Sequence, residues 1–453
     1  MNRQKKLLLL LAVLVLASAV TLVVVKREEK KEIIKNTPAS VLEWSDIDSV
    51  SWEYEDTSLA FQKQDDTWVY PADEAFPVDQ EKMASLLEQF SDLGAAFTIE
   101  EVEDYGQYGL TNPTCTITLT QGEETVELKL GDYSQMDAQR YASLGDGKVY
   151  LLSHDPLEEF DTDLSGLIQN DRVPELENVQ SISVSGEKTD SFVRDEESKS
   201  LCDDDLYFRA SDGGALDTNL VESYLRSLKN LTLEDYVTYN ATEQALQDCL
   251  LDSPAQTVTV TYTQEEQTEE QTFTLHLSKE EDKSEDEPGQ AYARVGDSPI
   301  LYRITNAEYK ALTACGYDDL RHQQVFPADF TQADSLTVTL DGQTATLEYR
   351  QPEDDKDADP AWYLGDTEVD LTEVQTALET LTADEFTTAA PTGKQELQLT
   401  VHLDREGTQE TTVTLYRLDG TQMLAQVDGK SLCYLPRTQA VALIEALNTI
   451  LLG

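Results

Sequence analysis

The most suggestive spacing of potential ligands in the chain is Asp355-x-Asp357-x-Asp359, with Asp366 at the twelfth position. Alternating oxygen ligands closed by a carboxylate at position twelve are how a calcium loop wraps a hard cation. Here Pro360 stands at the sixth position, where the sharp turn needs Gly, and Asp366 is shorter than the bidentate Glu that usually closes such a loop. The segment reads first as a solvated acidic hairpin loop. Its second reading is a weak divalent-cation site formed by Asp355, Asp357, Asp359 and Asp366.

The other chemistry-bearing residue types are dispersed. His154, His276, His322 and His402 are isolated, with no H-x-H or H-E-x-x-H spacing. Cys115, Cys202, Cys249, Cys315 and Cys433 include no C-x-x-C pair, and an odd, scattered set argues against a disulfide framework or a zinc site. Cys115 and Cys433 fall in strand-like stretches and read as small buried residues. No G-x-S-x-G, Walker loop or G-x-G-x-x-G occurs. Carboxylates are so frequent that no pair stands out as a general acid and base. Tyr105 and Tyr108 flank a Gly-Leu turn and read as turn packing, or else as an aromatic contact patch. The expectation is no catalytic residue, no cofactor and no enzyme activity.

Net charge is −55, from 88 acidic and 33 basic residues, and a chain that acidic lacks the basic face that nucleic acid requires. So much acid is read as a solvated surface. The 453 residues suffice for about three domains of ordinary size.

The elements that must position any site repeat three times. Val78-Asp79 is followed by Met83, Leu86, Leu87, Phe90 and Leu93; Leu216-Asp217 by Val221, Tyr224, Leu225, Leu228 and Leu231; Val369-Asp370 by Val374, Ala377, Leu378 and Leu381. Each is an apolar stripe at helical spacing behind an Asp able to cap it. In the third copy Glu373 lies three residues after Asp370 and predicts a capping box. The copies lie too far apart for solenoid units, so each predicts a small domain.

Residues 1–6 form a short basic tail, placed in the cytoplasm. Leu7–Val25 is 19 residues without a charge, enough to cross a bilayer core of about 30 Å at about 1.5 Å per residue. Ala17-Ser18-Ala19 resembles a signal-peptidase site, but the run stays apolar to Val25, which favours an uncleaved anchor. Lys26, Arg27, Lys30, Lys31 and Lys35 would place the rest of the chain inside the cell by the positive-inside rule. The basic–apolar–small order is that of an export signal, and the expectation is a single-pass cell-membrane protein with its repeats outside. Residues 26–42 read as a juxtamembrane stalk, then repeat domains at 43–173, 174–323 and 324–453. Each unit predicts three strands, a helix, two hairpins and a short closing helix, an α+β fold of mostly antiparallel sheet. Two acidic stretches of the second repeat, Asp195–Asp205 and Lys279–Glu287, are expected to be exposed hairpin tips.

In the first repeat, Tyr108-Gly109-Leu110 with Pro113, alternating Thr116–Leu119, Leu128-Lys129-Leu130-Gly131-Asp132, Tyr141 and Val149-Tyr150-Leu151 resembles the domain-of-unknown-function 4340 family. Trp68-Val69-Tyr70-Pro71 and the Val78–Leu93 helix also fit. The likeness is most specific over Trp68–Leu151. The second repeat keeps Leu251, Pro254 and the Tyr292 hairpin. The third lacks the Gly-Leu turn. The resemblance implies a bacterial membrane-anchored protein with extracytoplasmic domains, of a kind often encoded beside gliding-motility-type ABC transport components. It carries over no site residue. The leading expectation is therefore a non-enzymatic accessory or scaffold of an ABC-type transporter, partnered by its permease and ATPase and held to the membrane by Leu7–Val25. The alternatives are a free-standing cell-surface binding or spacer protein, for example for cell-wall polymer, and an envelope enzyme with an unrecognised site.

Overall fold

The computed structural model describes residues 39–100, 102–264, 269–284, 286–352, 359–406 and 409–452, with residues 14, 17–21 and 23–24 near the N-terminus. The apolar run Leu7–Val25 lies largely outside the described residues. Those of it that are described are helical and exposed, and the Ser18 and Thr21 hydroxyls donate to the carbonyls of Leu14 and Ala17, one turn back, at 2.9 and 2.8 Å. Among the described residues, no helix is long and apolar enough to cross a membrane. The basic tail and most of 26–42 lie outside the described residues too. The last four residues of that stretch are no stalk: Ala39–Leu42 is an edge strand pairing antiparallel with Leu93–Ile99.

The chain forms two compact units, Met1–Asn170 and Asp171–Gly453. The first holds one nine-stranded sheet; the second holds an eight-stranded and a nine-stranded sheet. The fold is α+β, three antiparallel sheets with few helices.

All three sheets share one connectivity. In the first unit the strands are Ser49–Tyr54, Thr57–Gln64 and Thr67–Val69, then Leu93–Ile99 after the helix, then Cys115–Gln121, Glu124–Ser134, Gln139–Ser143 and Val149–Leu152. Counted one to eight, they lie in the order 3-2-1-5-6-7-8-4. The same order holds from Val179–Gly186 to Leu301–Ile304 and from Ala333–Leu340 to Lys430–Pro436. The first sheet adds Ala39–Leu42 at one edge, and the third adds Thr367–Val369 at the opposite edge.

Period-two patterning builds these sheets. In Gln256–Tyr262 every second residue is buried, and Leu397, Leu399, Val401 and Leu403 do the same in Gln395–Leu403. The other face is threonine-rich. Cross-strand hydroxyl pairs run at 3.3 Å for Thr259–Thr274, 3.0 Å for Thr339–Thr344 and 3.0 Å for Thr400–Thr412. β-Branched Thr suits a pleated strand and leaves a hydroxyl for water, so one face can stay wet.

The repeated helices are Gln80–Glu88, Thr218–Lys229 and Thr372–Glu379; each buries most of the predicted stripe, with Leu225 half-buried and Phe90 and Leu93 lying beyond the first helix. In the third sheet Val374, Ala377 and Leu378 share a core with the inward strand residues and with Ala440, Leu443 and Leu447 of the closing helix Arg437–Leu452. Burying each large side chain contributes about 1.5–3 kcal/mol. Asp79 accepts from the amides of Glu81 and Lys82 at 3.0 and 3.1 Å, and Asp217 from Asn219 at 2.9 Å. The third copy departs from the prediction. Leu371 is its cap residue with no side-chain hydrogen bond, and Asp370 instead accepts from the Thr372 amide and hydroxyl at 2.9 and 2.6 Å. A local turn wins the carboxylate that the capping box would have used.

The strand after each helix was absent from the sequence pattern. Leu93–Ile99, Tyr236–Thr238 and Glu385–Phe386 cross to the far side of the sheet and pair with the eighth strand.

Candidate functional site

The family-like signature of the first repeat is one packing contact. Tyr105–Tyr108 is a 3-10 turn ended by Gly109 at φ +71°, where a Cβ would collide with the Asp132 side chain. Gly131, from the facing strand, leaves no room for a Cβ against the Tyr108 carbonyl. Arg140 donates from Nη1 to the Gly131 carbonyl at 2.7 Å and from Nε to both Asp155 carboxylate oxygens at 2.7 and 2.8 Å. Tyr108 and Tyr141 rings lie 5.0 Å apart. The residue types of the signature thus hold a turn onto a strand. The first unit also has a cleft of about 440 Å³ lined by Trp44, Lys63, Asp66, Trp68, Gln80 and Glu88. Gln80 is spent on the backbone of Trp68, accepting its amide at 2.8 Å and donating to its carbonyl at 2.9 Å. Lys63 Nζ lies 5.5 Å from the centre of the Trp68 ring.

Within the second unit, the stretch Asp195–Asp205 brings chemistry-bearing residues together. It is not the exposed tip expected of an acidic insertion. Leu201 packs against the core of the third sheet, and Asp205 is 5% exposed. Arg405 donates to Asp203 Oδ1 at 2.9 Å and to the Ser200 carbonyl at 2.6 Å, and Gln332 donates to Asp203 Oδ2 at 2.7 Å. Of its acidic residues, Asp203 docks the loop on the third sheet, while Glu196, Glu197 and Asp204 stay exposed. Asp195 starts the loop, accepting from Ser198 Oγ and from the Glu197 and Ser198 amides at 2.7, 2.9 and 3.1 Å. The Ser198 hydroxyl, then those amides, hold its carboxyl below the usual range.

The other side of this site is His322, just beyond the short helix Tyr317–Leu320. Its Nε2 lies 2.8 Å from Asp205 Oδ1 and its Nδ1 lies 3.7 Å from Asp217 Oδ2. Ser200 Oγ holds the other Asp205 oxygen at 2.6 Å and accepts the Cys202 amide at 3.0 Å. One donor atom from each of Cys202, Asp205 and His322 lies within 4.8 Å of the others. Burial, ahead of the nearby carboxylates, pushes the Cys202 thiol up. Asp205 and His322 line a cleft of about 250 Å³ together with Ser200, Tyr317, Arg321 and Val427. Tyr317 and Arg321 of its lining belong to a stack of guanidinium groups and rings. The Arg209 guanidinium carbon lies 3.7 Å from the Tyr317 ring centre, and that of Arg321 lies 4.6 Å from Tyr317 and 4.2 Å from Phe386.

Of the residues proposed from sequence for a cation, Asp355 and Asp357 lie outside the described residues. Asp359 and Asp366 are exposed, with the strand Ala361–Leu364 running between them. At about 3.3 Å per residue that strand holds them apart at its two ends. His154 is exposed; His276 Nδ1 lies 3.0 Å from Thr257 Oγ1 and His402 Nδ1 lies 2.7 Å from Asp334 Oδ1. All five cysteines are free thiols, and all but Cys202 are buried. The cluster at Cys202, Asp205 and His322 escaped the sequence reading because its third member is 117 residues away; the only local trace was Cys202 three residues before Asp205.

The family described as a domain of unknown function (DUF4340) matches residues 68–254 and 210–400. The matched segments begin in or just after the third strand of one sheet and end beside or within the fifth strand of the next. No curated protein and no solved structure matches the chain.

Proposed function

The chain belongs to the DUF4340 family, and from that premise we propose that it is a membrane-tethered scaffold that serves an ABC-type transport system without doing chemistry itself. The observation that carries this reading is the threefold use of one eight-strand connectivity. Repeating one module on one chain multiplies a binding surface and raises the effective concentration of whatever binds it. The uncharged run Leu7–Val25 supplies the tether in this reading, with the repeats outside the cell. The transporter enters through the family resemblance. The chain carries no Walker loop, so the ATPase is a separate protein here. Gentle detergent extraction of tagged full-length protein from its native membrane, followed by mass spectrometry, tests the reading. A permease and an ATPase in stoichiometric amount are the expected result. Recovery of the protein alone would sink it and promote the second reading, a free-standing surface protein for wall polymer. The cleft lined by Trp44 and Trp68 favours that alternative, because aromatic rings with Lys63, Asp66 and Glu88 in the same lining suit a polyhydroxylated chain.

A further inference from the structure

We propose that Cys202, Asp205 and His322 form a zinc site that fastens the Asp195–Asp205 loop to the end of the second repeat. The donor set is a thiol sulfur, a carboxylate oxygen and an imidazole nitrogen, which together select a borderline-soft divalent ion over calcium or magnesium. Ligands about 2.0–2.3 Å from zinc stand about 3.3–3.8 Å apart on the corners of a tetrahedron. The three donor atoms lie within 4.8 Å of one another, with His322 Nε2 and Asp205 Oδ1 2.8 Å apart, so small side-chain shifts bring all three to that spacing.

The surroundings are those of a metal site rather than of a chance cluster. Ser200 Oγ lies 2.6 Å from Asp205 Oδ2, with the Cys202 carbonyl a second acceptor at 2.7 Å, and Oδ1 is the Asp205 oxygen turned to His322. Asp217 Oδ2 lies 3.7 Å from the other ring nitrogen of His322, placed to take its N–H once Nε2 binds metal. A carboxylate behind a ligating histidine fixes the tautomer and strengthens the ligand. Asp205 is 5% exposed, and Ser200 Oγ and His322 Nε2 offset the cost of burying its carboxylate. Three protein ligands leave one position of the tetrahedron for a water or a further ligand, and Asp205 and His322 also line the cleft described above. On binding, the Cys202 thiol gives its proton to solvent, the proton on His322 Nε2 is exchanged through solvent to Nδ1 beside Asp217, and the His322–Asp205 hydrogen bond gives way to two bonds to the ion. Two anionic ligands then balance the charge of one Zn²⁺.

The detergent-solubilised full chain, stripped with a chelator, is titrated with Zn²⁺ and separately with Co²⁺. One tightly held equivalent is expected, with a thiolate-to-cobalt charge-transfer band in the near ultraviolet and tetrahedral visible bands. Cys202→Ser keeps the fold, removes the charge-transfer band and weakens Zn²⁺ binding by more than about 10-fold. With 88 acidic residues the chain will also collect weakly held cations, and the thiolate band separates the site from that background. Cobalt binding without the band, or Zn²⁺ affinity unchanged in Cys202→Ser, overturns the proposal and leaves Asp205–His322 as a hydrogen-bonded tie. His322→Gln serves as the second variant. It keeps a polar partner for Asp205 while removing the nitrogen ligand, and loss of the tetrahedral visible bands is the expected result.

Discussion

Asp155 and Arg140 have side chains only 9% and 11% exposed, and the guanidinium also holds the Gly131 carbonyl of the family-like signature. Removing one member of such a pair strands the other charge without its partner. Asp155→Ala should therefore cost about 3–5 kcal/mol in chemical denaturation, whereas the double variant Asp155→Leu, Arg140→Met should recover much of it. Equal losses in the single and double variants would show that packing of the Gly109 turn, not the ion pair, sets the stability. The residue types of this signature were legible in the sequence, because a glycine at positive φ and a glycine under a carbonyl leave a fixed spacing. The residues around His322 were not. Their meeting depends on a loop docking on a neighbouring sheet and on a chain reversal of over a hundred residues. Periodicity carries no trace of either.

A stripe behind a capping Asp predicts a helix; the first two copies form one on that cap, and the third forms on its stripe without it. The three copies also provide an internal comparison. Asp79 is 3% exposed and caps two amides, while Asp370 is exposed and closes only a turn ahead of its helix. Asp79→Ala should destabilise the first unit by about 1–2 kcal/mol, and Asp370→Ala should cost the second unit less than half of that. Thermal melts of the two variants check this; equal costs would mean that the Asp370 turn is worth as much as a helix cap. The fourth strands leave no separate pattern in the sequence: Leu93–Ile99 starts on the last residue of the helical stripe and is hidden by it, and the other two are very short. Tyr236–Thr238 and Glu385–Phe386 have three and two residues, too few for any alternation, and they exist because the eighth strand offers an unpaired edge. Short outer strands also leave little open backbone for another chain to pair with.

At the scale of the molecule, sequence repetition pointed to three modules, and the strand order shows them to be copies of one connectivity. Yet the chain forms two compact units, because the second and third sheets are joined. Their junction is made by Leu201 against the third core, Asp203 with Arg405 and Gln332, and the Arg321 guanidinium between Tyr317 and Phe386. Charge-assisted hydrogen bonds from an Arg405 side chain only 6% exposed are the most directional part of that junction. Losing them should cost about 2–3 kcal/mol. Because these bonds couple two sheets that each own a core, the loss should appear as a loss of cooperativity as well as of stability. Calorimetry of Arg405→Ala should then resolve the transition of the second unit into two, while the transition of the first unit stays where it was. A single transition for the second unit, merely shifted downward, would place the coupling in the Leu201 contact and the aromatic–guanidinium stack instead. Leu201→Ala in the same background would then be the variant that separates the sheets.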